Sequence, residues 1–101
     1  MAKWELVIDI IQDVRGSVAM YMFIIEEAIQ TIGMACYQAK QAKDYDLMRE
    51  LARYAIDNLV NPAIEFVDIY GVLAYPLNMA YKEFYLAAKK TFETYLTLEE
   101  K

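Results

Sequence analysis

Two adjacent carboxylates, Glu26 and Glu27, lie in the most apolar part of this 101-residue sequence. Neither glutamate has a Lys or Arg three or four residues away, and the same holds for Glu65 and Asp68. Carboxylate oxygens are the ligands that hard divalent cations prefer. These four residues are therefore weak metal-ligand candidates, against the plainer interpretation that they are solvated or hydrogen-bonded between subunits.

The rest of the sequence offers little further chemistry. It contains no histidine, so the Glu-x-x-His motif of di-metal helical bundles is absent. It also lacks a nucleophile–His pair, a phosphate-binding loop and a dinucleotide fingerprint. The single cysteine, Cys36, lies among Ile32, Ala35 and Ala39 and is predicted to be a small buried hydrophobe rather than a nucleophile. We therefore predict no enzymatic activity, no cofactor and no metal.

The element that carries the Glu26–Glu27 pair is predicted from a heptad pattern. Apolar residues recur at alternating steps of three and four for more than five heptads, which is the spacing of helix-on-helix packing. This first seam keeps its phase across Gly16, which favours one helix over about 3–42. The first seam comprises Trp4, Val7, Ile11, Val14, Val18, Tyr21, Ile25, Ala28, Ile32, Ala35, Ala39 and Ala42.

The next helices are placed by their start and stop signals. Lys40 and Lys43 are basic residues suited to a last helical turn, and Asp44 is a good N-cap for a helix over about 45–59. Asn61 followed by Pro62 is a second start signal, for a helix over about 62–97. The sequence leaves open whether the chain folds back at this dipeptide or continues as one bent rod.

The third helix repeats the heptad pattern in a second seam. Pro76 lies inside that pattern, so it is predicted to kink the helix near residues 72–73 or to divide it there. The second seam comprises Ala63, Val67, Tyr70, Ala74, Leu77, Tyr81, Phe84, Ala88, Thr91, Tyr95 and Leu98.

The heptad numbering shows that the two glutamates do not belong to the first seam. With Trp4 at position a, Glu26 falls at b and Glu27 at c, so the pair interrupts a second apolar face. Tyr and Met are favoured in the cores of protein interfaces. We therefore predict an oligomer interface formed by Met20, Phe23, Met34 and Tyr37 on helix 1, together with Tyr75 and Leu86.

Composition agrees with a helical chain that is completed by other copies of itself. Hydrophobic residues make up 58%, whereas only three Gly and two Pro are present for turns. The predicted fold is all-α: one domain over 1–101, a long helical hairpin or three-helix bundle with a Pro-kinked third helix. One short chain has too little thickness to cover two seams of this length, so the apolar excess is expected to be buried by oligomerisation.

Charge and hydropathy limit the partners and the cellular location that we expect for this chain. A net charge of −5 disfavours nucleic acid, and Lys82 and Lys89 are predicted to belong to a solvated, salt-bridged flank. The first residues lack a clean signal-peptide core, and no uncharged apolar run of about 18 residues occurs. The chain is expected in the cytoplasm or in an assembled particle or filament. A membrane or lipid contact is the minority interpretation.

The sequence thus yields three hypotheses for function. The leading one is a non-enzymatic structural protein, a small helical protomer that assembles into a homo-oligomer or filament such as a virion, pilus-like or scaffold subunit. The alternative is a small dimeric adaptor or regulator that binds a protein partner. The third is a helical bundle that binds a metal through carboxylates, or a lipid. No motif in the sequence indicates a known family.

Overall fold

The fold is described from a computed structural model, which defines the backbone of residues 3–98 and the side chains of Asp9 and of residues 12–98. This part of the chain is helical throughout, apart from two short connections, and contains no strand. The predicted all-α class is therefore confirmed. The side chains of three predicted seam residues, Trp4, Val7 and Ile11, lie outside the described residues.

The helical elements follow one another closely. The helix α1 has 39 residues and continues without interruption through Gly16. The elements in chain order are α1 (Lys3–Gln41), α2 (Tyr45–Ala55), a π-helical turn (Ile56–Val60), α3 (Asn61–Tyr70), a 3₁₀ turn (Gly71–Ala74) and α4 (Leu77–Thr97).

The chain reverses between α1 and α2 in a tight, fully bonded turn. Lys43 adopts a left-handed conformation with φ of 60°. Its N–H donates to the carbonyl of Lys40 at 3.0 Å, and the N–H of Asp44 donates to the carbonyl of Ala39 at 2.9 Å. This pair of bonds is the Schellman arrangement that closes many helices. The Asp44 carboxylate then accepts from the Leu47 N–H at 3.2 Å, which confirms Asp44 as the N-cap of α2.

Pro62 does not end the second helix: α3 begins at Asn61, next to the predicted start, but Asn61 is not its N-cap. Asn61 has helical dihedral angles, and its N–H bonds to the carbonyl of Ile56, five residues back. A proline inside an α-helix removes one N–H and clashes with the carbonyl four residues before it. The wider π-helical turn relieves that conflict, so α2 and α3 form one continuous rod.

Pro76 has the larger effect and divides the predicted helix over 62–97. The chain leaves α3 through the 3₁₀ turn, reverses at Tyr75 and Pro76, and starts α4 at Leu77. Gly71 makes this reversal compact, because a Cβ added there would lie 2.8 Å from Cγ2 of Val67 and 2.9 Å from Cβ of Asn78. Of the two outcomes predicted for Pro76, the structure shows division rather than a kink.

Three rods therefore lie side by side. Cys36 packs against Met48 near the α1–α2 turn, so the α2–α3 rod runs back along α1. At the other reversal, the Arg15 guanidinium donates to the carbonyl of Tyr75 at 2.9 Å. The α4 helix then returns beside both rods, and the molecule measures 67 × 18 × 17 Å.

The α4 helix is attached at two levels. The Tyr85 hydroxyl donates to the carbonyl of Met22 in the middle of α1 at 2.7 Å. Beyond the end of α4, the Arg49 guanidinium donates to the carbonyl of Leu98 at 3.1 Å.

The buried stripes are displaced from the predicted seams. In α1 the buried residues are Val18, Met22, Ile29, Cys36 and Ala39, whereas the seam members Val14 and Tyr21 are each 41% exposed. Likewise, α4 buries Tyr85 and Phe92 in place of Phe84 and Thr91. Each helix packs against two others, so its most buried line faces the gap between them and lies beside the predicted seam.

Candidate functional site

The four candidate metal ligands do not come together. Glu27 is exposed, whereas Glu26 is half-buried on the side of α1 that faces α4 and lies 3.5 Å from the Gln30 amide nitrogen. Among the described residues, no group of three His, Cys, Asp or Glu side chains is arranged to hold a metal ion. The four-carboxylate cation site considered from the sequence is therefore not formed within this chain.

Asp68 has a basic partner that its local sequence does not show. Its carboxylate lies 2.7 Å from Nζ of Lys82, which belongs to α4. The two residues come together because the chain reverses between α3 and α4. This exposed ion pair agrees with the prediction of a salt-bridged flank around Lys82, and such pairs contribute little to stability.

A tyrosine, Tyr85, is the most deeply buried polar side chain of the described residues that makes a bond across the molecule. Burial raises the pKa of its hydroxyl, with smaller contributions from nearby Tyr81 and Glu26. The hydroxyl keeps its proton and donates it to the carbonyl of Met22. It is a structural donor that the surrounding side chains cover completely.

Cys36 is fully buried, as the sequence predicts. Its sulfur lies 3.8 Å from the carbonyl of Met48, and burial raises the pKa of the thiol. A raised pKa and a covered sulfur both oppose nucleophilic chemistry, because the thiolate is the reactive form. The prediction of a small buried hydrophobe is confirmed.

The six predicted interface residues are all exposed, and they belong to three different parts of the fold. Four of them make up an outer patch on α1: Met20, Phe23, Met34 and Tyr37. Tyr75 lies in the α3–α4 turn and Leu86 on α4. The outer patch is itself interrupted by a shallow polar depression of about 320 Å³, lined by Glu27, Gln30, Thr31 and Met34.

A second apolar surface lies where α1 passes α3. An open groove of about 410 Å³ is lined by Val14, Ser17, Val18, Tyr21, Phe66, Tyr70 and Leu73. Its floor is aromatic: the ring centroids of Tyr21 and Phe66 are 4.2 Å apart, and those of Phe66 and Tyr70 are 5.1 Å apart. Sequence reasoning missed this groove, because it placed Tyr21 and Tyr70 in covered seams.

The α3–α4 turn extends the exposed apolar surface from the groove around the end of the α2–α3 rod. The chain carries no charge between Asp68 and Lys82. Large apolar side chains in this stretch are exposed, although most of its backbone is helical. They are Ile69, Tyr70, Val72, Leu73, Tyr75, Leu77 and Met79.

One stretch of α1 also meets the length and composition of a membrane span. Among the described residues, Gln12–Gln41 is long and apolar enough to cross a bilayer, and only 17% of its most apolar window is buried. Core helices and signal sequences have the same length and composition, so this feature by itself assigns no location.

Comparison with protein-family models, with curated proteins and with solved structures gives no match. The functional argument therefore depends on the surfaces just described.

Proposed function

We propose that this chain is a non-enzymatic structural protein, a helical protomer whose three-rod bundle is completed by other copies of itself. The observation that carries the proposal is the exposed apolar surface of α1. Only 17% of the most apolar window of this helix is buried by the rest of the chain. In water such a surface favours association, because apolar area removed from water contributes roughly 25 cal/mol per Å².

The exposed apolar side chains of α1 support assembly with other chains rather than the binding of a small molecule. Met20, Phe23, Ile24, Met34 and Tyr37 stand exposed on the outer side of α1. Exposed apolar patches of this kind, bordered by polar residues, are typical of protein–protein or membrane contacts. The depressions on this side are shallow and open, whereas ligand pockets surround most of the ligand.

The proposal is tested by the mass of the purified protein in solution. Light scattering after gel filtration, over a range of concentrations, should give a mass above that of one chain. Replacing Phe23 and Met34 together by Lys should lower that mass, because charges would be buried in the contact. The matched control replaces Asn58 and Thr94 by Lys, which adds the same charge at exposed polar positions outside α1.

The outcomes separate the hypotheses. A wild-type protein that remains one chain at tens of micromolar would overturn the proposal. A defined dimer that is unaffected by the Phe23 and Met34 changes would leave the outer patch free for another protein. That result would favour the adaptor.

A lipid bilayer contact is a second candidate, favoured by the length and composition of Gln12–Gln41. Flotation of the protein with phosphatidylcholine vesicles tests it directly. Co-flotation that the Phe23 and Met34 changes abolish would support the bilayer over a second copy. Protein that stays in the dense fraction would exclude it.

A further inference from the structure

The side of α1 that borders the groove carries a row of exposed side chains with symmetric spacing. This row is here called the pairing line, and it comprises Val14, Ser17, Tyr21 and Ile24. Its members follow one another at steps of three, four and three residues, so the spacing is the same in both directions along the helix. All four side chains are exposed, and none of them belongs to the buried core of the chain.

We propose, building on the self-assembly proposed above, that two copies pair about a twofold axis with their α1 helices antiparallel along the pairing line. The axis passes midway between Ser17 and Tyr21. Each Val14 then lies opposite Ile24 of the partner subunit, and each Ser17 lies opposite Tyr21 of the partner subunit. Each of these pairs joins a smaller side chain to a larger one, which is how two facing surfaces interdigitate.

The surface around the pairing line has the hollows that such a contact needs. On one side is the groove, whose far wall is formed by Phe66, Tyr70 and Leu73. On the other side is a broad, shallow depression that Ile24 lines together with Gly16 and Met20. Ser17 and Tyr21 line both hollows and therefore stand between them. Because Val14 lines the groove, Ile24 of the partner subunit would enter it.

The proposed contact buries no ionised group. Neither the pairing line nor the wall of the groove contains a charged residue. Asp13 lines the depression, but it is exposed and lies outside the pairing line. On α3, the first charge beyond the groove is Asp68, which is already paired with Lys82. The two surfaces can therefore lose water without the cost of burying a charge.

The exposed area of the chain indicates an occupant of protein size. The chain exposes 7186 Å², whereas a compact monomer of 11.8 kDa exposes about 5,900 Å². The excess of about 1,300 Å² is larger than the roughly 800 Å² that each partner contributes to a standard interface. A twofold contact uses the same patch on both subunits, so the patch must be complementary to itself. The symmetric spacing of the pairing line and its neighbouring hollows meet that condition, which selects a second copy of this chain.

The pairing line and the outer patch are different sides of α1. Phe23, in the outer patch, is two residues from Tyr21, which places it about 200° further round a helix of 3.6 residues per turn. A pair formed along the pairing line therefore leaves Phe23 and Met34 uncovered. Two separate contacts on each chain allow an assembly larger than a dimer.

Cross-linking tests the direction and the register of the pair. The variant carrying Val14→Cys and Ile24→Cys is treated with a short bismaleimide, and the products are separated on a denaturing gel. We expect covalent dimers at least fivefold more abundant than in either single variant, because identical positions lie about 15 Å apart along the antiparallel pair. The two new cysteines of one chain are equally far apart, so they do not react with each other. Wild type is the blank, since its cysteine is buried.

A charge in the wall of the groove tests the same contact without cysteine chemistry. Tyr70→Lys should lower the mass measured by light scattering at least twofold, because the new charge would be buried between the copies. Tyr54→Lys is the matched control on α2 and should leave the mass unchanged. The two tyrosines are comparably accessible within one chain, at 49% and 54% exposed.

The outcomes separate this pairing from the proposed function. A wild-type protein that remains one chain at tens of micromolar would overturn both. An oligomer that gives no cross-link in the double-cysteine variant, and whose mass Tyr70→Lys does not change, would overturn the pairing alone. Cross-linking of each single variant to itself would show a parallel pair and would also overturn it. If Tyr70→Lys leaves the mass unchanged but abolishes flotation with phosphatidylcholine vesicles, the groove contacts lipid in place of a second copy.

Discussion

The two ends of this molecule are built from the same heptad pattern but differ in what they bury. The closed end holds the α1–α2 turn and buries Cys36, Ala39, Met48 and Phe92. The open end holds the α3–α4 turn and buries Val18, Ala63, Val67 and Ala74. Its larger apolar residues are exposed. A periodic apolar pattern therefore predicts that a face is covered, without indicating by which chain.

The difference has a physical cause in helix length. The α1 helix has 39 residues and α4 has 21, so α4 can flank only part of α1. The α3–α4 turn ends the other two rods near Arg15.

The largest contrast is expected from removing one tyrosine from the core and one from the open end. Tyr85 is fully buried, so Tyr85→Ala should lower the free energy of unfolding by about 3–5 kcal/mol. Tyr75 is 59% exposed, and Tyr75→Ala should change it by less than about 0.5 kcal/mol. Urea unfolding at one fixed protein concentration measures both. Equal losses would show that the open end is as tightly packed as the core.

Two glycine substitutions extend the comparison. One tests the close packing at the α3–α4 turn, and the other tests the open surface of α1. Gly71→Ala should destabilise the protein by about 1–3 kcal/mol, since its Cβ would meet Val67 and Asn78. Gly33 has no neighbouring atom within 4 Å of an added Cβ, so Gly33→Ala should stabilise it by about 0.5–1 kcal/mol. Thermal unfolding at matched concentration gives both signs. A stabilising Gly71→Ala would contradict the compact reversal.

The hydroxyl of Tyr85 gives a pH test of the contact where the two ends meet. Tyr85→Phe removes its bond to Met22 and should cost about 1 kcal/mol near neutral pH. Burial raises the pKa of this hydroxyl above its ordinary value of about 10. The unfolded chain therefore releases the proton first, and the stabilisation declines as pH rises above about 10.

Unfolding free energies measured between pH 8 and 11 should fall more steeply for wild type than for Tyr85→Phe. A decline remains in the variant, because burial also raises the pKa of Tyr81 and Tyr95. Identical slopes would show that Tyr85 is not held neutral by the fold.

The smallest effects are expected at the closed-end turn. Asp44→Ala removes the N-cap of α2 and should cost about 1 kcal/mol. Lys43→Gly should stabilise the protein by up to about 1 kcal/mol, because glycine adopts the left-handed conformation without steric cost. Thermal unfolding of both variants checks the signs, with Asp57→Ala as a control at an exposed aspartate. A destabilising Lys43→Gly would contradict the Schellman turn.

Much of the helical content follows from local sequence. The α1 helix, the Asp44 cap and the burial of Cys36 depend on periodicity and on neighbouring residues, which a sequence displays directly. The two prolines show the limit of that approach. Local rules identify both as breaking points, but Pro62 is accommodated by a π-helical turn and Pro76 divides a helix. Which outcome occurs depends on what the flanking helices pack against.

The candidate site was predicted less completely, for the same reason. The exposed residues Met20, Phe23, Met34 and Tyr37 follow from their place outside the heptad seam. The groove does not, because it combines Tyr21 with Phe66, which are distant in sequence. The Asp68–Lys82 pair is likewise formed by a chain reversal. No periodicity within one helix can indicate such pairs.

The sequence by itself determined that this chain is helical, that α1 is one long apolar helix, and that Glu26 and Glu27 lie off its seam. Only the tertiary structure decided which apolar line each helix buries and which it leaves exposed. The reason is that helix formation depends on bonds four residues apart, whereas burial depends on which helices meet. In α1 that choice places Met22 inside and leaves Tyr21, its neighbour in sequence, at the edge of an open groove.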